Sequence, residues 1–402
     1  MRHRRPGQES TRTRAHALGA CAIFVVVLLL GGCGGRVGTS STATTHTQTP
    51  TITPALADTS TSALSPAQMA GQRVIYGYRG LVPPKNLLTL ISHGEAAGVI
   101  FFSDNISSKG QLKAVIRKLE RANAALGNPV RAPLLLMIDQ EGGRVRRLPG
   151  LPLLGAKQIG KSGDPVAAAS KAGRDAGLNL RGVGLNVNLA PVLDVYSRAN
   201  GFDDRYGRSY SMQPSVVSTL GAAFIRAQQE EGVAATAKHF PGLGAATASQ
   251  NTDNRRVALA VPLDSLLATD EAPFKSAIGA QVKLVMLSWA VYPALDSTAP
   301  AGLSSAIIQG QLREALGFKG VTITDDLAAD ALKAYGTLER RAELAAGVGM
   351  DLMLCPQTES HASVGARVMG RLKDDYMDGT LSRPAFQASV RRIIALRRSL
   401  GN

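Results

Sequence analysis

Seven short apolar runs, each followed by a stretch long enough for a helix, constrain this chain more than any other feature. They are 98–102, 134–139, 185–191, 233–239, 282–288, 320–325 and 351–355. Runs that are apolar almost throughout are buried on both faces, which is the signature of strands in a parallel sheet. The segments 109–126, 164–181 and 214–231 have the length and periodicity of crossover helices. Seven or eight such units predict a (β/α)8 barrel in the α/β class, with an open doubly wound sheet as the alternative. Ser65 followed by Pro66 reads as an N-cap and a first helical proline, opening the folded body there.

Where the polar residues fall points the same way. Several runs end in a side chain able to do chemistry: Asp139, Asp194, Lys238 with His239, Ser288, and Asp325 with Asp326. In barrel enzymes the site is assembled from the C-terminal ends of the strands. Any one strand-end carboxylate can simply cap the next helix. Five strand ends converging predict an active or ligand site.

Upstream of the folded body the chain changes character. Arg2, Arg4, Arg5, Arg12 and Arg14 precede an apolar run from Ala22 to Leu30, and then Gly31, Gly32 and Cys33. That order predicts an export signal over residues 1–32. Leu30-Gly31-Gly32-Cys33 resembles a bacterial lipobox, which implies cleavage before Cys33 and a lipid on its thiol. The expected product is a membrane-anchored lipoprotein on the extracytoplasmic face. Residues 33–65 read as a linker: 15 of the 32 positions from 34 to 65 are Ser or Thr, too polar to bury anything. The catalytic-type domain is expected over residues 66–402.

The chain carries a formal charge of +15, of which the leader holds +4 (five Arg against Glu9) and the remainder +11. Such a surface serves solubility and favours anionic partners. Aromatic residues make up only 4%, and no basic patch interleaves with them, so nucleic acid is not an expected partner. The three cysteines, Cys21, Cys33 and Cys355, are too scattered for a disulfide framework or a zinc cluster.

Five motifs then occur in order: Ile138-Asp139-Gln140-Glu141-Gly142-Gly143-Arg144-Val145, Ala190-Pro191-Val192-Leu193-Asp194-Val195, Gly207-Arg208-Ser209-Tyr210, Lys238-His239-Phe240-Pro241-Gly242, and Ile323-Thr324-Asp325-Asp326-Leu327. Together they resemble the catalytic domain of family 3 glycoside hydrolases, and in particular the single-barrel β-N-acetylhexosaminidases of cell-wall turnover. The resemblance implies retaining hydrolysis of a terminal β-linked sugar. By motif position, Asp325 resembles the nucleophile that forms the glycosyl-enzyme. Asp139, Arg208, Lys238 and His239 match residues that grip the sugar hydroxyls. Asp326 is expected to cap the next helix or accept a hydrogen bond, and Arg144 to order the Asp139 loop. No cofactor and no metal are implied; a monomer acting on amino-sugar glycosides of cell-wall fragments is expected.

One departure matters. The resembled branch carries an Asp-x-His acid/base pair in the loop after Lys238-His239-Phe240-Pro241-Gly242, and here those places read Ser249 and Asn251. Neither side chain donates a proton at neutral pH. Trp289 stands where relatives commonly place His. Asp253, in the same loop, is a candidate replacement acid, because burial can raise a carboxyl into the working range; the alternative is that 251–253 is only a turn. A sugar-binding lipoprotein without turnover, and a phosphorylase or transglycosylase variant, are the competing readings. Motifs of other chemistries are missing: there is no Gly-x-Ser-x-Gly, no His-Glu-x-x-His and no complete P-loop. Cys355 is expected to be a buried small apolar residue, and the helix around 390–398 to close the barrel with its arginines in solvent.

Overall fold

The computed structural model describes Thr61, residues 63–355 and residues 363–401. The expected signal segment, Cys33, most of the 33–65 linker and His361 lie outside the described residues. Eight parallel strands follow one another in chain order: β1 Val74–Tyr76, β2 Gly98–Phe101, β3 Leu135–Ile138, β4 Val187–Asn188, β5 Ala234–Phe240, β6 Leu284–Leu287, β7 Val321–Thr324 and β8 Met353–Leu354. β8 pairs back onto β1 through Val74–Met353 and Ile75–Leu354, and a bridge between Ile323 and Leu352 joins β7 to β8. The ring closes, so the barrel holds over the open sheet.

Strand alternation sorts the core into two layers. Ile75, Leu135, Met137, Leu284, Met286, Val321, Ile323 and Leu354 fill the barrel interior. Their neighbours Val74, Tyr76, Leu136, Ile138, Val285 and Leu287 face outward, against the helices. Period-2 side-chain geometry with both faces covered requires this split, and it is why the runs read as continuously apolar. The surrounding helices include α1 Pro66–Gly71, α2 Lys85–Ser92, α3 Lys109–Asn123, α4 Pro165–Arg181, α5 Pro214–Glu230, α6 Ala272–Gly279, α7 Leu338–Gly347, α8 Ser363–Asp378 and α9 Arg383–Ser399. Ser65 caps α1 in a reciprocal box with Gln68, and Asp164 caps α4 by accepting from Ala167 N at 3.1 Å.

Two strands differ from the sequence reading. β1 is only three residues long, too short to register as a run. β4 shrinks to two residues where seven were expected. There Asn188 replaces ladder bonds with its side chain: Oδ1 accepts from Gln140 N at 2.9 Å, and Nδ2 donates to Gln140 O at 3.1 Å and Gln228 Oε1 at 2.7 Å. Pro191, having no N–H, then interrupts the regular ladder, while Val192 still bridges Lys238 of β5 and the chain runs on to Asp194.

α9 closes the N-terminal end of the barrel by inserting Ile393 and Leu396 into the interior layer. Its arginines do not all face solvent, contrary to expectation. Arg397 is fully buried, donating to Pro133 O at 2.7 Å and Ala132 O at 3.0 Å, with Gln72 also in contact. Arg392 joins Arg313 on the buried Asp351, each at 2.7 Å. The helix is thus pinned by a guanidinium that satisfies main-chain carbonyls, not by apolar packing alone. Arg397→Met leaves Pro133 O buried without the guanidinium that satisfies it and removes one of the two donors to Ala132 O, and is expected to lower stability by about 3 kcal/mol. Exposed Arg398→Met should change it by less than about 0.5 kcal/mol; urea denaturation of the two variants beside the parent checks the difference.

Candidate active site

At the C-terminal mouth of the barrel lies a cavity of about 590 Å3. Asp139, Arg208, Lys238, His239, Asp253 and Asp325 all line it, so the loops bring together every site residue singled out in the folded body. Of the other strand-end residues, Ser288 is turned inward and accepts from Ala290 N at 3.0 Å, and Asp194 acts behind the cavity wall.

The centre of the charge arrangement is Glu141, which the sequence reading left without a role. Arg208 grips it with two parallel bonds, Nε to Oε2 at 2.9 Å and Nη2 to Oε1 at 2.8 Å. Lys238 Nζ reaches Glu141 Oε1 at 2.8 Å and Asp139 Oδ1 at 2.7 Å. Burial alone would raise the Glu141 carboxyl, yet Arg208 and Lys238 outweigh it and hold the group far below the usual carboxylate range. The same carboxylates, working against burial, raise Lys238. One signal could have found Glu141. Asp139 and Glu141 are two apart around a short extended segment, and such a pair shares one face.

His239 is held from behind. Its Nδ1 lies 2.7 Å from Asp194 Oδ2, while Asp194 Oδ1 accepts from the backbone N–H groups of Leu243 at 2.6 Å and His239 at 3.2 Å. Against a burial penalty, His239 brings Asp194 down and Asp194 brings His239 up. This pairing directs the remaining ring nitrogen of His239 away from Asp194. Asp203 accepts from Arg208 Nη1 at 3.0 Å, and its second oxygen is buried without a partner. Burial and the nearby Asp194 charge push the Asp203 carboxyl up.

Asp325 stands at the end of β7 and accepts from the N–H of Asp326 at 2.8 Å. Asp326 itself turns aside and accepts from Ala328 N at 2.7 Å, the hydrogen-bonded role expected of it. Burial, ahead of Asp325 and Asp253, pushes its carboxyl up to about 7. Trp289 fills the core beside it, donating from Nε1 to Asp326 O at 2.9 Å. The ring also packs over Gly302, where even one methyl would collide with it. Trp289 therefore braces the segment that presents Asp325.

Asp253 sits on a turn whose geometry Asn251 supplies, by accepting from Asp253 N at 2.9 Å. The turn is bound to the segment after β7: Asp330 N donates to Asp253 O at 3.0 Å and Ala331 N to Thr252 O at 3.1 Å. The turn and a carboxyl in the cavity coexist. Asp253 remains open to solvent at the cavity mouth; partial desolvation there, then the Asp325 charge, raise its carboxyl.

Around Asp139 the ordering arginine is Arg146, which donates to Gly143 O at 2.9 Å and Gly150 O at 2.8 Å. Arg144, expected there, is instead exposed and lines the cavity. Arg147 lines it too, with a buried Nε that has no partner. Cys355 is buried at the cavity floor, its thiol raised by burial. Among the described residues, Asp194, Asp203 and His239 alone gather in the manner of metal ligands. Arg208 on Asp203 Oδ1 and the three bonds on Asp194 take up most of the oxygens a cation would need, leaving Asp203 Oδ2 and one His239 nitrogen. Among the described residues, no helix is long and apolar enough to cross a membrane.

The charges give this site a signed pH response. Asp326 and His239 hold protons in the folded state that the unfolded chain has released, so their stabilisation is present at low pH and lost as pH rises through their folded values. Glu141 and Asp194 act oppositely: their stabilisation is complete above the ordinary carboxylate range and lost on acidification below it. We expect Tm to fall between pH 5.5 and 8.5, and to fall less in Asp326→Asn. A differential scanning fluorimetry series reads both.

The model of the glycosyl hydrolase family 3 N-terminal domain matches residues 71–396. A secreted glycosyl hydrolase of Arthroderma benhamiae is 43% identical over 338 residues, 84% of this chain and 95% of that one. A beta-hexosaminidase of Thioalkalivibrio sulfidiphilus is 34% identical over 298 residues, covering 71% of this chain and 80% of that one. Among solved structures, a glycoside hydrolase family 3 β-N-acetylglucosaminidase of Paenibacillus superposes with a TM-score of 0.77 at 32% identity. That match takes in 85% of this chain and 64% of the longer Paenibacillus chain.

Proposed function

Because the chain belongs to glycosyl hydrolase family 3, we propose that it is an exported, retaining exo-β-N-acetylhexosaminidase. In this reading it removes single β-linked amino sugars from cell-wall-derived glycans, tethered to the membrane by a lipid on Cys33. The observation that carries the proposal is the pair of carboxyls in one cavity, Asp325 at a strand end and Asp253 with its proton affinity raised by partial desolvation and by Asp325. The names of the Thioalkalivibrio and Paenibacillus relatives support the hexosamine, and that of the Arthroderma relative supports export.

The chemistry divides between the two carboxyls. Asp325 attacks the anomeric carbon as Asp253 protonates the departing glycosidic oxygen, forming a glycosyl ester on Asp325. Asp253, now ionised, takes a proton from water as that water attacks the ester, and the sugar leaves with its β configuration. Asp139, Lys238 and Arg208 fix the sugar hydroxyls before and during transfer. Their preset ion pairs mean little reorganisation is needed when charge develops on the ring. His239, held by Asp194, contributes a ring nitrogen to the same cluster.

An acid matters most when the leaving group is poor. We therefore expect Asp253→Asn to lower kcat/KM by about 100-fold or more on an aryl β-N-acetylglucosaminide with a poor leaving group, and by less than about 5-fold on one with a good leaving group. Asp325→Asn should abolish turnover of both. Equal losses on both substrates in Asp253→Asn would remove it from the acid/base role. No turnover by the parent on either would favour the sugar-binding reading.

A further inference from the structure

Behind the wall that carries His239 lies a second cavity, of about 330 Å3, which shares no lining residue with the first. Its walls are mainly aliphatic: Val195, Ala245, Val261, Pro262 and Met212. One charged side chain enters it, Asp270, which is 4% exposed and has neither a hydrogen bond nor an ion pair to its carboxyl among the described residues. A buried carboxyl without a partner is costly in its ionised form. Burial first, then the charges of Asp194 and Glu271, accordingly push it up to about 8. The neighbouring field is negative, and no Lys, Arg or His lines the space. Lys157, over the ring of the lining residue Tyr196, is already paired with Asp204 at 2.6 Å.

We propose that this cavity is a second binding site, specific for a small organic cation: a protonated amine on an apolar body. The ammonium supplies the missing partner to Asp270, the aliphatic walls and the Tyr196 ring take the body, and Met212 at the rim adapts to its shape. Asp270 also packs against the main chain of the catalytic loop, where a methyl on Gly242 would lie 2.6 Å from its Cβ. Leu243, the next residue, donates to Asp194 and lines the first cavity. Val195 and Ser197 contact the same loop from the other wall, Ser197 N donating to Gly244 O at 3.1 Å. An occupant therefore touches Val195 and Asp270, which contact the loop that follows His239, without entering the first cavity.

The test uses the full chain labelled with 13C-methyl methionine, benzylamine as probe and benzyl alcohol as its uncharged counterpart, at pH 8. Benzylamine should shift the Met212 methyl resonance (assigned with Met212→Leu) saturably, with a Kd of about 1 mM or tighter. N-acetylglucosamine should not displace it. Benzyl alcohol should bind at least about tenfold more weakly, as should benzylamine to Asp270→Asn. Equal binding of amine and alcohol to the parent, displacement by N-acetylglucosamine, or no shift of the Met212 methyl would each overturn the proposal. These readouts need no turnover, so they stand apart from the glycosidase assignment.

Discussion

A buried carboxylate shared by two cations, Glu141 between Arg208 and Lys238, is the interaction on which the mouth of this barrel depends. The three side chains come from the chain after β3, the chain after β4 and β5 itself. A lone charge in that position would be strongly unfavourable. Bidentate geometry on one side and an ammonium on the other make it favourable, and they set three loops in register at once. Asp139 shares the Lys238 ammonium and Asp203 shares the Arg208 guanidinium, so removing Lys238 strands Asp139 and removing Arg208 strands Asp203. The proposed sugar subsite is therefore built in its charged form before any ligand arrives.

The Asp325 end, the nucleophile of the proposed mechanism, is organised by main-chain bonds and packing. Asp325 leans on the N–H that follows it, Asp326 closes a tight turn, and Trp289 ties that turn to the core. The loop after β5 is stitched to the chain after β7 by two main-chain bonds. In the proposed mechanism, those bonds are how a chain with Ser249 and Asn251 at the usual acid/base places still supplies a proton donor. Asn251 shapes the turn, and Asp253 occupies the position that the turn creates. An acid relocated by two residues is a local change, compatible with an otherwise unaltered sugar subsite.

Much of this was legible in the sequence because barrel strands carry a strong signal. The runs at 134–139, 282–288 and 320–325 became β3, β6 and β7, and Asp139 and Asp325 at the ends of the first and last converge on one cavity, while Ser288 does not. β1 escaped because three residues carry no periodicity, and β4 is shorter than its run because Asn188 turns to side-chain bonds and Pro191 has no N–H for the ladder. Within the site, single chemistries at strand ends were readable, whereas partnerships were not. Glu141 and Asp194 acquire their roles from residues 67 and 45 positions away, and Asp203 from one only 5 positions away. No local pattern encodes such pairings. Arg397 was misread for a related reason: helical spacing marks a polar residue as outward-facing, and only the tertiary neighbours reveal carbonyls waiting at the bottom of the barrel.

The account stands most directly on the ester formed at Asp325. A 5-fluoro-N-acetylglucosaminyl fluoride with the β configuration would slow breakdown of that ester more than its formation, allowing the labelled protein to be digested and sequenced by mass spectrometry. The result expected is one glycosyl unit per chain on the peptide containing Asp325, with no label in Asp325→Asn. A label on Asp253 or Asp326, or hydrolysis of the fluoride with no trapped ester at any point, would contradict it.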